Sequence, residues 1–242
     1  MNLHIFSATL SFLTRLGRPR ILAEGEFART LAWFPLVGLA VGLLAAAPGA
    51  FGLFSAYPLL LGWLAVGLSL WFTRGLHADG LADVADAWGS GAVGERFWTI
   101  MKDSRAGPFG VLGLVMGLGG QVLAFGELAR QGRFGAIAWC FVLGRALSVM
   151  ALAANRRRVR PGLSSLFAPG ATAWVAGCVG AQAVAAGLLL DGWRPVIIAV
   201  PLCGVLLWRM SALSRKQCGF NGDFMGAAIM AGELLGALAA LA

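Results

Sequence analysis

In this chain of 242 residues, 59% are hydrophobic and only 12% charged, against roughly 25% charged in a soluble domain, and the mean hydropathy is +0.79. These values exclude a soluble globular fold and describe an integral membrane protein. The net charge of +8 suggests a nucleic-acid partner until the positions of the basic residues are considered.

Residues 1–13 lack the basic start and small-residue cleavage site of a secretory leader. They read as an uncleaved helix lying at or dipping into the membrane interface. Apolar runs of about the ~20-residue length that crosses a bilayer follow at 31–54, 57–73, 108–129, 134–154, 171–190, 195–213 and 224–242. The expected fold is therefore all-α: a polytopic integral membrane helical bundle of about seven transmembrane helices plus short interfacial helices, with residues 1–242 forming a single membrane-embedded domain. The 35 glycines are spread through these runs, as expected where helices pack closely in lipid. With the N-terminus in the cytoplasm, fifteen of the nineteen Lys and Arg residues fall inside, Arg130, Arg133 and Arg194 fall outside, and Arg145 lies within a span. The basic excess is thus mainly a topology signal. The partners are a lipid bilayer and small anionic metabolites, with no nucleic acid, and a homo-oligomer is compatible with the sequence.

The longest polar stretch between spans, 74–107, reads as two short helices at 79–87 and 95–104, separated by Gly89, Ser90, Gly91 and Gly94. Three of only eleven acidic residues, Asp79, Asp83 and Asp86, fall in the first helix. At about 100° per residue their carboxylates share an arc of roughly 60°. Three like charges so close repel unless a divalent cation sits between them. Hard oxygen ligands of this kind suit Mg²⁺, which keeps waters and takes its remaining ligands from substrate phosphates. A merely solvated helix face is the plainer alternative. It is disfavoured because Leu81, Val84 and Trp88 make the other face apolar and acids are otherwise scarce.

The second helix carries Lys102, Asp103, Ser104 and Arg105. Arg offers a planar fork to phosphate oxygens and Lys a point charge, while Asp103 either ligates a second metal ion or orients Arg105. The alternative is a positive-inside anchor with an incidental acid. His77 stands ready either to accept a proton from an attacking hydroxyl or to bond a phosphate, or serves only as a structural hydrogen-bonding group. Two further loops, 155–170 and 214–223, face the same side. The second ends in Phe220-Asn221-Gly222-Asp223, where Asp223 either caps the last span or completes the metal site from a distant part of the chain. Arg145 and Glu233 lie within spans, each roughly 13–14 Å from its cytoplasmic end at 1.5 Å per residue. An unpaired charge in hydrocarbon is costly, so equal depth predicts an ion pair. Cys140, Cys178, Cys203 and Cys218 show no metal-ligand spacing and read as small core residues.

Three separated motifs then carry a resemblance. His77-Ala78-Asp79-Gly80-Leu81-Ala82-Asp83-Val84-Ala85-Asp86, Met101-Lys102-Asp103-Ser104-Arg105-Ala106-Gly107, and Asn221-Gly222-Asp223 with Gly226-Ala227 and Glu233 resemble the signature of the adenosylcobinamide-GDP ribazoletransferase family. Phe12-Leu13-Thr14-Arg15-Leu16 and Phe34-Pro35-Leu36-Val37-Gly38 resemble its opening, so nearly the whole chain is covered. Ala87 and Asn221 depart from the Gly and Thr common in the family and remove no ionisable group. The resemblance implies an Mg²⁺-dependent enzyme of the bacterial inner membrane, with its site facing the cytoplasm. A hydroxyl of α-ribazole, or of its 5′-phosphate, would attack the cobinamide-linked phosphorus of adenosylcobinamide-GDP, releasing GMP. In that chemistry Asp79, Asp83, Asp86, Asp103 and Asp223 would hold metal. Lys102, Ser104, Arg105 and Asn221 would bind substrate, and His77 or Asp86 would take the proton. A CDP-alcohol phosphatidyltransferase also uses clustered acids, but its pattern asks for Ala-Arg where Asp83 and Val84 stand. A transporter is disfavoured by the absence of an internal repeat.

Overall fold

The computed structural model describes residues 3–20 and 22–242, and the described residues contain twelve α-helices. In chain order these are α1 (Leu3–Leu13), α2 (Glu24–Thr30), α3 (Phe34–Ala50), α4 (Pro58–Thr73), α5 (Leu76–Gly89), α6 (Glu95–Met101), α7 (Pro108–Arg130), α8 (Phe134–Asn155), α9 (Leu163–Phe167), α10 (Ala173–Leu190), α11 (Trp193–Lys216) and α12 (Gly222–Leu241). Six stretches are long and apolar enough to cross a membrane, and α4 joined to α5 makes a seventh candidate, broken by a 96° bend. We assign α4 as the span and α5 as a helix turned aside at its end.

Local chemistry sets several boundaries. Proline opens α4 and α7, at the position where its missing N–H is not needed. Thr172 and Asn221 cap α10 and α12 by accepting hydrogen bonds from the N–H groups of Val175 and Phe224. The helix expected at 95–104 stops at Met101, because Asp103 accepts the backbone N–H of Arg105 in a local turn that competes with helical bonding. The helix expected at 79–87 is longer and starts at Leu76, immediately after the bend.

That bend is built from two left-handed residues, Arg74 (φ 59°) and Gly75 (φ 70°). The conformation is natural for glycine and costs an arginine about 1–2 kcal/mol. The Arg74 guanidinium donates to the carbonyls of Thr14 (2.6 Å) and Ser11 (3.2 Å) at the end of α1. In return, the backbone N–H and the Nε of Arg15 donate to Phe72 and Trp71 at the end of α4, each at 2.7 Å. The two helix ends satisfy one another's carbonyls and fix the direction in which α5 departs.

At the centre of the bundle, α8 is buried along nearly all its length and packs against α3, α10, α11 and α12, while α7 packs on α4, α5 and α12. Large apolar side chains such as Trp63, Met116, Leu123, Leu189 and Ile197 remain exposed on α4, α7, α10 and α11, the outward face expected in lipid. The short helices and polar loops gather at one end. There Gln217 accepts the N–H of Gly94 and its carbonyl accepts the Trp98 indole N–H, and Arg160 pairs its backbone with Phe220. At the other end only tight turns remain, tied by Arg133 to Asp191 and to the carbonyl of Ala240.

Within the bundle Arg145 of α8 donates to Glu233 of α12, both fully buried. Gln121 of α7 donates to the second Glu233 oxygen at 3.0 Å, so three helices share one polar knot. Breaking one side strands the other charge. Arg145→Leu with Glu233 retained is expected to lose roughly 3–5 kcal/mol of unfolding stability in detergent, and the double variant Arg145→Leu/Glu233→Leu to recover most of it.

Candidate active site

The polar end holds its chemistry where α5 crosses the start of α12. A Cβ placed on Gly80 would lie 2.8 Å from the carbonyl oxygen of Asp223 and 3.0 Å from its Cα, and one on Gly226 would lie 3.2 Å from the carbonyl oxygen of His77. Bare backbone at both positions lets the helices touch. The contact brings Asp79 and Asp83 from one part of the chain beside Asp223 from another. None of these three carboxylates forms an ion pair among the described residues. Burial first, and then the charges of Asp223, Asp79 and Asp86, raise the carboxyl of Asp83 to about 7.

Asp86 points elsewhere. One of its oxygens accepts the N–H of Gly107 and the other that of Gly110, both at 2.7 Å, so it caps the first turn of α7 and offsets the positive end of that helix. A Cβ on Gly110 would collide with this carboxylate. Both Asp86 oxygens thus bond the start of α7, which gives this residue an anchoring task beside the metal-ligand or base role expected of it. Asp103 is likewise engaged. Arg105 grips it through Nε (3.0 Å) and Nη2 (2.7 Å), which holds its carboxyl at about 2. Of the two alternatives for Asp103, the structure takes the orienting one.

Asn221 spends both ends of its amide on α12, its oxygen as the helix cap and its Nδ2 donating to Asp223 at 2.6 Å. It positions Asp223, which leaves the capping role expected of Asp223 to Asn221. Lys102 and Arg105 are exposed. Ser104 lines a cleft of about 560 Å³ together with Asp79, Asp83 and Arg74.

On the opposite side of the first turn of α5 lies a second cavity of about 320 Å³, lined by His77, Ser164, Asn221 and Asp223 and by the apolar side chains of Phe12, Phe34 and Phe167. His77 is 4% exposed and its Nε2 has no hydrogen-bond partner. Burial and the nearby Arg145 charge hold its imidazole well below the usual histidine range, so it is kept neutral and its surroundings oppose protonation. Sequence reasoning had missed this cavity. Its only advance signals were Phe12 and Phe34 within the opening motifs and the Pro161-Gly162 turn, which brings Ser164 over the start of α12.

Among the described residues no three His, Cys, Asp or Glu side chains converge as a finished metal site. The donor set is nevertheless of the right chemistry for a hard cation: unpaired carboxylates that repel one another, with room in the adjoining cleft for further oxygen ligands.

Comparisons with known proteins agree along the whole length. A family model described as cobalamin-5-phosphate synthase matches residues 5–241. An adenosylcobinamide-GDP ribazoletransferase of Nitratidesulfovibrio vulgaris is 47% identical over 226 residues, covering 92% of this chain and 89% of the relative. Proteins of the same name from Klebsiella pneumoniae and Citrobacter koseri are 36% and 33% identical, each covering 98% of this chain and 98% or 99% of the relative. No solved structure matches.

The two neighbouring aspartates predict opposite behaviour. Asp86→Ala strands two helix-start donors and should cost about 1–2 kcal/mol of stability. Asp83 binds its proton more tightly folded than unfolded, so its share of metal-free stability falls as pH rises from 3.8 to about 7. Asp83→Asn should abolish that decline in a pH series of thermal unfolding, with no loss at neutral pH.

Proposed function

This chain belongs to the cobalamin-5-phosphate synthase family, and from that membership we infer that it is an adenosylcobinamide-GDP ribazoletransferase. It is a multi-pass membrane protein. It joins adenosylcobinamide-GDP to α-ribazole, or to its 5′-phosphate, and releases GMP. The observation that carries the assignment of the site is the meeting of Asp79 and Asp83 with Asp223 across the Gly80–Gly226 contact.

Phosphoryl transfer asks a protein mainly to position its reactants and to offset charge on the phosphate oxygens. Asp79, Asp83 and Asp223 would hold Mg²⁺, and neutralisation of charge on the diphosphate is what that ion supplies when bound. Ser104 lines the same cleft, and with Lys102, two residues before it in the chain, would steady the phosphate oxygens. Arg105, its fork already closed on Asp103, contributes a fixed positive potential. His77 takes the proton from the attacking ribazole hydroxyl at Nε2, as a neutral imidazole can. The new oxygen–phosphorus bond forms on the cobinamide-linked phosphorus while its bond to the GMP oxygen breaks. Asp86 and Asn221 act one step back, the first holding α7 against α5 and the second aiming Asp223.

The distribution of basic residues supports a cytoplasmic site in the inner membrane, because loops 155–170 and 214–223 and the stretch 74–107 carry ten of the nineteen Lys and Arg residues. Membranes containing the protein, given adenosylcobinamide-GDP, α-ribazole and Mg²⁺, should form GMP, whereas CDP-diacylglycerol with an alcohol acceptor should give no product. Asp83→Ala should reduce GMP formation at least 10³-fold, on the scale of losing a principal electrostatic group, while membrane insertion persists. Full activity in that variant removes the acids from the mechanism. A cysteine placed at Arg157 should react with impermeant maleimide only from the cytoplasmic side, and labelling from outside would invert the topology.

A further inference from the structure

The two cavities beside α5 differ in chemistry, and together they sort the two substrates of the ribazole-transfer reaction, a reading on which this inference rests. The wide cleft beside Asp79 and Asp83 is open and acidic. The cavity of about 320 Å³ is walled by Phe12, Phe34, Leu163, Phe167 and Ile229, with His77 on one side and Asp223 at its mouth. Its size is at the small end for pockets that hold a single small molecule, too small for a corrin ring with its side chains. Its walls also select between the two flat bases of the reaction. Guanine carries donors and acceptors around its edge that would lie unpaired against phenylalanine, each at a desolvation cost. A dimethylbenzimidazole presents an apolar edge to the same surface. Phe167 meets Phe12 and Phe34 at centroid distances of 5.6 and 5.9 Å in tilted and edge-on arrangements, an aromatic lining of the kind that packs well against a further flat ring.

We propose that this cavity is the ribazole subsite, with the benzimidazole ring among Phe12, Phe34 and Phe167 and the ribose hydroxyls at His77 and the Asp223 mouth. Three observations converge on this placement. His77 lines the cavity, and its Nε2, closed off from solvent and without a hydrogen-bond partner, is a polar atom that a ribose hydroxyl would satisfy once the imidazole turns towards the cavity. Leu76 lines both cavities, so they adjoin at the first turn of α5, the arrangement that transfer from a hydroxyl in one to a diphosphate in the other requires. The third is the Pro161–Ser164 segment, which borders the cavity from the solvent side and makes Leu163 a wall that also faces outward, 55% exposed.

That exposure makes Leu163 a safe site for testing. In purified protein reconstituted into vesicles, Leu163→Ala is expected to raise KM for α-ribazole roughly tenfold, the scale of a lost apolar contact in a binding pocket, with KM for adenosylcobinamide-GDP unchanged. In a Cys218→Ser background, Leu163→Cys should react with maleimide and be protected by α-ribazole but not by GDP. Protection by GDP, or a KM shift that falls on adenosylcobinamide-GDP, overturns the proposal by placing the other substrate there. Unchanged KM values with no protection by α-ribazole overturn it equally. Failure of the unmodified protein to form GMP would refute the transferase reading, while the protection experiment would still report what the cavity binds.

Discussion

Everything at the polar end depends on one contact between bare backbones. Gly80 of α5 lies against Asp223 of α12, and Gly226 lies against His77. A methyl group on Gly226 would crowd the helices and one on Gly80 would push them apart, and with them carboxylates that lie more than 130 residues apart in sequence. The contact is supported from below by Arg145, Glu233 and Gln121, which tie α8, α12 and α7 at buried depth, and from above by Asn221, which starts α12 and holds Asp223. In a bilayer, where helices gain little from hydrophobic attraction, close packing and shared polar groups are the available forces, and the fold uses both around the same crossing.

The site is sorted by charge as well as by space. Asp79, Asp83 and Asp223 have no cationic partner among the described residues, whereas Asp103, Asp86 and Asn221 are each committed to a protein group. Like charges left facing one another in a half-buried place are a standing cost, tolerated where function requires them. His77 shows the complementary pattern: burial and Arg145 keep it uncharged beside the acids. Polar cleft and aromatic cavity thus sit on either side of one helical turn, one suited to phosphate and the other to a flat apolar ring.

Much of this was legible in the sequence. Apolar length located the long helices, and equal depth along two of them was enough to match Arg145 with Glu233. The scarcity of acids drew attention to the segment from Asp79 to Asp86. Helical periodicity puts Asp86 on one face with Asp79 and Asp83 but carries no information about which neighbouring helix crosses that face, so it could not show that α7 begins where Asp86 points. The loop helix stopped short at Met101 because a side chain, Asp103, competed for backbone donors, an effect that a count of apolar residues does not register. The cavity was hidden for a different reason. Its walls come from α1, α3, α5, α9 and α12, and only the packed bundle brings them together.

The exchange of bonds between α1 and the α4–α5 bend ties two things that are usually independent. Through Arg15 and Arg74, the end of α1 is fastened to the corner from which α5 swings out. A shift of α1 is therefore passed to the tilt of the acid-bearing helix, and the first helix of the chain becomes a component of the geometry at this rim.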